Sequence, residues 1–594
     1  MPPTTPSRLS SDDRASKAIE PYSHLATAVN LGSPKALVVA VTGILGPSGP
    51  EATFVVSSDS NSSSSSGSDP DAPGILPHIR FEYNIESSSI TSEQVTDIPD
   101  DLNNNKLSLK AHIQDLIRVL QLVSSGPTPE LTGADFSRWL LSRCLRKLHH
   151  RTLTATREWD ISPVKSMAAW KPSSADRIPS HRVQIPPSLT QVLREFSFPF
   201  DEAASSSEFN HATAPAWINC VASLVSQVDK LLVRRNAEGN VLPRTMKQVT
   251  KSSLEELHDV LQALRFLLDT KPLEDLFKTT SLVTDFQPKR SWGVRAERSL
   301  ALQGSQLPSN LDNSGSTDTF DDEDGDEEEV AEMSFRGDEN AGNHVFRYLR
   351  ALVAWHDAGD SLIHTFKKFP QVPSVSIVEL TDHSDAAKSS MAHTYDTIHD
   401  ELKARLGKSD LTSAETDAAV KWLDERKTDA IAAKTSLRVH AEAGLMALAK
   451  HAAEPKTHDE IPSNFIKPVF ASRPLPIGAT KKCCYMCYRL RDLLLGGAGQ
   501  NASEQLYLKG THGHMFPWDV PDFGIPDDVL VQLVDELKEK MFLLAKEHGE
   551  LIKDESRQSS PQYVASDVVK DYDTVTLKPP LGVHLPVIIG FSFS

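Results

Sequence analysis

Cysteine is scarce in this chain, with five in 594 residues. That is too few for a disulfide framework and fits a reducing compartment. Long apolar runs are missing as well. The longest, near Ala36 to Leu45, falls well short of the roughly 20 residues a membrane-spanning helix needs. Met1 to Arg14 is polar and rich in Pro and Ser, without the apolar segment of a secretory signal. These absences predict a soluble, intracellular protein, cytoplasmic or nuclear, with no membrane partner.

Positive charge is in deficit, and the formal net charge is −18. Ten acidic and no basic side chains lie between Asp318 and Glu332, however, and without them the balance is about −8. Charge therefore neither supports nor excludes a polyanionic substrate.

The length exceeds one hydrophobic core and predicts about three to four domains. Composition breaks the chain twice. SSDSNSSSSSGSDPDAPG, from residue 57, is Ser- and Asp-rich and cannot bury enough apolar surface to order itself. The stretch from Gly304 to Glu332 is polar and then acidic, a solvated joint between two halves. The expected organisation is an N-terminal segment (1–56), a linker (57–75), a mainly helical region (76–300), an acidic linker (301–342), an α/β domain (343–550) and a tail (551–594).

Within 76–300, Leu107 to Leu122, Phe136 to Leu148, Trp217 to Val233 and Leu254 to Leu268 carry apolar residues at helical spacing. Ser252 and Ser253 are cap candidates for the last. No constellation of chemistry-bearing residues assembles there, so the region reads as a scaffold or a protein-binding surface. After 343 the pattern alternates. His344 to Phe369 is helical, and SVSIVEL (374–380) reads as a strand. RVHAEAGLMALAKHA (438–452) follows as a helix, then NFIKPVFASR (464–473) as a strand weakened by Pro468. CYMCYRLRDLLL (484–495) is a helix ended by Gly496 and Gly497, EQLYLKG (504–510) a strand, and DDVLVQLVDELKEKMFLLAKE (527–547) an amphipathic helix. Such alternation predicts an α/β layer with roughly parallel strands.

Three of the five cysteines sit in CCYMC (483–487). Cys484 and Cys487 open one predicted helix, and His440, Ala441 and Glu442 open the helix before it, with one strand between. Neighbouring helix starts in such a unit emerge on the same sheet edge, so the two motifs can meet. Zinc takes imidazole and thiolate ligands tetrahedrally, and a catalytic site uses three while leaving a fourth position for water. His440, Cys484 and Cys487 supply that number. Helix N-termini favour thiolates. Glu442, beside the ion without ligating it, is placed for general acid/base work. Cys483 competes with Cys484 in register, and the three-residue spacing favours Cys484 with Cys487. A redox dithiol would leave His440 and Glu442 unexplained. His451 and His458 read as solvated surface histidines.

H-x-E followed by C-x-x-C resembles the signature of zinc-dependent nucleobase deaminases. More closely, VHAEAGLMAL, IGATKKCCYMC and GTHGHMFPW resemble the toxin-related fungal deaminases called the Orientia-type family, over about residues 350 to 550 and not over 1 to 340. The resemblance implies a cytidine-deaminase-like α/β/α domain behind a helical N-terminal region, hence an α/β or α+β chain. It further implies one Zn2+, zinc hydroxide as nucleophile, Glu442 as proton shuttle and a base in a nucleotide or single-stranded nucleic acid as substrate. One departure is Cys483, where the family pattern has Pro. In the motif following the last strand, His512, His514, Phe516 and Trp518, with Tyr485 between the cysteines, are candidates to line a base pocket; the alternative is a turn whose aromatics cover the core. A competing function is an inert scaffold whose zinc only staples the domain while the helical region binds a protein partner.

Overall fold

The structure is a computed structural model that describes residues 11–30, 39–46, 49–57, 79–82, 85–98, 108–124, 129–201, 203–236, 241–286, 340–367, 374–380, 385–432, 439–453, 469–470, 474–479, 483–496, 506–508, 518–521, 523–557 and 589–590. The fold is mixed helix and sheet. Nearly all of both expected linkers and most of the expected tail lie outside these residues.

The chain begins with helix α1 (Ser11–Val29) and the strands β1 (Val39–Gly46), β2 (Gly49–Ser57) and β3 (Ile79–Glu82). Helices α2 (Leu109–Ser124), α3 (Gly133–Glu158), α4 (Ala214–Leu232), α5 (Lys251–Leu268), α6 (Ala341–Leu352) and α7 (Ala354–Phe366) follow, and then β4 (Ser374–Leu380). Two helices, α8 (Asp385–Leu406) and α9 (Ser413–Ala432), lead into α10 (Ala441–Ala453), β5 (Leu475–Ala479), α11 (Tyr485–Leu494), β6 (Leu506–Leu508), β7 (Trp518–Asp519) and the long α12 (Asp527–Arg557).

The four helices expected in 76–300 are present as α2 to α5, each within a turn of its expected start; α3 runs ten residues further. The cap of α5 is Thr250, whose hydroxyl accepts the Ser253 N–H, rather than either serine. The helical stretch after 343 is split at Val353 into α6 and α7. Of the strand expected over 464–473 only Val469 and Phe470 are among the described residues, and they are helical; a strand is found at 475–479, where five consecutive residues are buried. Pro468, which has no N–H to donate, disfavours a ladder at the earlier position.

Six strands form the main sheet in the order β6-β5-β1-β2-β4-β3. The expected parallel arrangement is corrected: β1 runs antiparallel to both β2 and β5, β3 runs antiparallel to β4, and only β5–β6 and β2–β4 are parallel. The hairpin β1–β2 at the centre comes from residues 39–57, so the sheet reaches across the expected boundary at 343 into the N-terminal segment. The sequence carries a signal for this hairpin: two runs rich in Val, Ala and Thr separated by a Gly- and Pro-containing turn.

Successive residues of a strand face opposite sides, and the burial follows this. Ala40, Val378, Leu380, Leu475 and Ile477 join a core with α10, α11 and α12, whereas Val39, Val41, Val375 and Ile377 join one with α1, α2, α3 and α7. The sheet is thus covered by helices on both faces, and the helical region packs onto one of them. Gly478 marks the closest approach: a Cβ there would meet the Tyr22 backbone carbon of α1 at 2.2 Å. The remaining helices share a separate core around Trp217 and Trp355, and α8, α9 and α12 a smaller one around Leu402 and Leu423. Among the described residues no helix is long and apolar enough to cross a membrane.

Candidate metal centre

His440 stands immediately before α10 and its carbonyl accepts the Gly444 N–H at 3.0 Å, so it is the last residue before the helix. Cys484 is the N-cap of α11, with extended backbone, and its Sγ accepts the Cys487 N–H at 3.4 Å. The sulfur occupies the place a Ser or Asp oxygen takes at other helix starts. A residue at the cap and one three positions on converge over the first turn, which turns C-x-x-C into a pair of sulfurs aimed one way. Because β1 and β5 hold the two helices on the same face of the sheet, these starts meet.

His440 Nδ1 lies 3.3 Å from Cys484 Sγ and 3.7 Å from Cys487 Sγ, and the three ligand atoms are all within 4.8 Å of one another. Tetrahedral zinc with Zn–S near 2.3 Å and Zn–N near 2.05 Å places its N and S ligands about 3.6 Å apart. The observed separations bracket that value, so the set fits an ion of this kind without rearrangement. Among the described residues this is the one group of three or more His, Cys, Asp or Glu side chains with such geometry.

The electrostatics agree with a site built for a cation. Burial pushes the Cys484 thiol up, but the hydrogen bonds from Cys487 and the positive His440 imidazole outweigh it and hold Cys484 well below the ordinary thiol range. Cys487 is driven well above it by burial, by its bond to Cys484 and by the negative charges of Cys484 and Glu442. Without a metal the two sulfurs thus oppose each other's ionisation. A dication removes the repulsion and lets both ionise.

Glu442 is only 5 % exposed, two residues after His440, and its charge raises both Cys487 and Cys483, while it lies outside the three-ligand group. Cys483 is buried and its thiol is pushed up by desolvation first and by Glu442 and Cys484 next. It lies outside the three-ligand group, which agrees with the register from Cys484. Tyr485 occupies the first helical position, half-buried, with the Lys540 ammonium 4.7 Å from its ring centre. Trp518 is completely buried in the same core as both ligand cysteines, so it covers the core rather than presenting a face for stacking. His512, His514 and Phe516 lie outside the described residues, as does His458. His451 is corrected: it is 6 % exposed, edge-on to Phe523, eleven residues along α10 and so about 16 Å from His440.

One neighbour was not anticipated. Asp519, 4 % exposed, forms a parallel bridge with Val439, the residue before His440. Only the tertiary pairing of β7 with that segment reveals it.

Comparison of the chain with protein-family models, with curated proteins and with solved structures finds no match.

Proposed function

We propose that this protein is a zinc-dependent hydrolytic deaminase acting on a nucleobase carried by a nucleotide or a nucleic acid. The observation that carries the reading is the meeting of one imidazole and two sulfurs at zinc-ligand spacing with a buried carboxylate beside them. A metal that serves only as a staple has no use for that acid; a buried carboxylate is costly, and an acid this close to the ligands suits proton transfer. The order of elements also supports it: an antiparallel hairpin followed by two helix–strand units, with the motifs at the two helix starts, agrees with a cytidine-deaminase-like domain whose first strands come from the N-terminal segment.

His440, Cys484 and Cys487 would hold the ion. When bound, it supplies the Lewis acidity that makes water a nucleophile at neutral pH. Glu442 accepts the proton of the attacking water and returns it to the departing amine, which leaves as ammonia. Burial, at 5 % exposure, keeps that proton from exchanging with bulk water between the two transfers. The helical region is left as the candidate surface for a protein partner.

Replacing Glu442 with Gln tests the assignment because it preserves shape and removes the proton acceptor. Zinc content should remain at the wild-type ratio while ammonia release, screened over nucleosides, nucleotides and short single-stranded oligonucleotides, falls by about 100- to 10,000-fold. Undiminished turnover with zinc bound would remove Glu442 from the mechanism. A wild-type protein that binds zinc, unfolds when it is removed and releases no ammonia from any of these substrates would favour the inert scaffold.

A further inference from the structure

We propose that residues 581–594 form a strand that docks on β7 and braces the segment carrying His440, which makes this distant stretch a positioning element of the metal centre. The docking stands on strand pairing and on sequence; its effect on zinc rests on the metal centre described above.

The pairing supplies the anchor. Strand β8 (Ile589–Gly590) runs parallel to β7, with Ile589 opposite Trp518 and Gly590 opposite Asp519. On its other side β7 meets Val439 through the parallel bridge at Asp519. Val439, Asp519 and Gly590 therefore stand in one row, and with neighbouring strands about 4.8 Å apart the backbone of Gly590 is roughly 10 Å from the residue before His440. β7 is tied to the metal centre a second time, because Trp518, completely buried, lies in the core that holds Cys484 and Cys487. A strand of two residues has little to hold it in place by itself, so its position depends on the segments that flank it.

The sequence extends the strand beyond the two paired residues. LGVHLPVIIGFSFS (581–594) is apolar at every odd position from Leu581 to Phe593, while the even positions hold Gly, His, Pro and Ser, with Ile588 the one exception. Alternation sustained from 581 to 593 is the mark of a strand with one buried face; a helix would place its apolar residues three and four apart. The phase agrees with the pairing. Position 589 is odd and stands opposite Trp518, the residue of β7 that belongs to the core, so the register sets the apolar phase of the run on the Trp518 side of the ladder. Pro586, with no N–H to donate, is tolerated in a strand at an edge, and among the described residues β8 pairs only with β7. The segment contributes no ligand and acts on the metal through β7 and Val439.

The test compares hydrogen exchange and zinc affinity of the full chain with those of a chain from which 581–594 has been deleted. Deletion should speed exchange of the amides at 518–520 by about tenfold or more, with α2 to α5 unchanged. It should weaken zinc binding by about 10-fold, the lower end of what supports outside the ligands contribute. A synthetic peptide of residues 581–594, added in excess, should restore both. The phase is checked in the intact chain: Ile589→Asp should reproduce the deletion, and His584→Asp should keep wild-type protection and zinc affinity. Unchanged exchange at 518–520 on deletion, or equal effects of the two Asp variants, would overturn the docking. Zinc affinity or ammonia release that rises on deletion would make the segment a plug rather than a brace and would overturn the proposal as well. Wild-type protein that takes up no zinc would instead undo the metal centre itself, and the exchange measurement would still decide whether the segment docks.

Discussion

Substituting Gly478 with Ala probes whether the N-terminal segment belongs to the sheet that carries the metal ligands. Gly478 is the fourth residue of β5 and pairs with Val41 of β1. The added Cβ would sit 2.2 Å from the backbone carbon of Tyr22 and 2.3 Å from the nitrogen of Ser23, both in α1. Carbon atoms in contact settle near 3.5 Å or more, so α1 and β5 must separate by about 1.3 Å. The obstacle is backbone, which no rotamer change can remove. Overpacking of this kind costs about 1–3 kcal/mol, and the upper end is expected because two elements must move together. The displaced strand ends five residues before Cys484, so zinc affinity should fall with stability. The assays are a thermal melt, zinc affinity and limited proteolysis of α1, with Gly407→Ala as control. At Gly407 a Cβ would lie 3.6 Å from the nearest atom, an ordinary contact, and the change should stay within about 0.5 kcal/mol. If Gly478→Ala melts like wild type and α1 stays protected from protease, α1 does not rest on β5, and the sheet is not shared between the two ends of the chain.

The register of the cysteines gives a second expectation. Cys483→Ala should leave zinc affinity within about threefold, whereas Cys484→Ala should lose more than the roughly 100-fold that an outer partner can contribute; equal losses would mean that Cys483 ligates. A fragment of residues 343–557 lacks β1 and β2 and exposes the edges of β4 and β5, so it should be insoluble or aggregated; a soluble fragment that binds one zinc per chain would contradict the observed strand order. A fourth expectation concerns pH. Burial, with smaller contributions from His258 and Arg265, pushes His356 down to about 3, and its two ring nitrogens make no hydrogen bond among the described residues. Below pH 6.5 the unfolded chain binds a proton that the folded one does not, so stability falls with pH between about 6.5 and 3, by roughly 2 kcal/mol from pH 8 to pH 5. His356→Leu should flatten the melting-temperature profile in that window, and an unchanged slope would assign it to other groups.

Local sequence determined a good deal here. Apolar spacing located α2 to α5, α10, α11 and α12, because an amphipathic helix writes its period into about a dozen neighbouring residues. The run SVSIVEL coincided with β4, and the positions of His440, Glu442, Cys484 and Cys487 at two helix starts followed from the motifs alone. These features depend on interactions within one or two turns. The tertiary structure decided the rest. Which strands pair is fixed by contacts between residues 39–57 and 475–479, more than 400 positions apart, and no local period reports such a pairing. The same holds for the antiparallel run of β1, for the approach of α1 that only Gly478 permits, and for the buried position of Trp518. Asp519 reaches the ligand segment by a single bridge between strands too short to leave a pattern. The sequence could name the groups able to grip a metal; bringing them to within 3.3 and 3.7 Å of one another needed a sheet built from both ends of the chain.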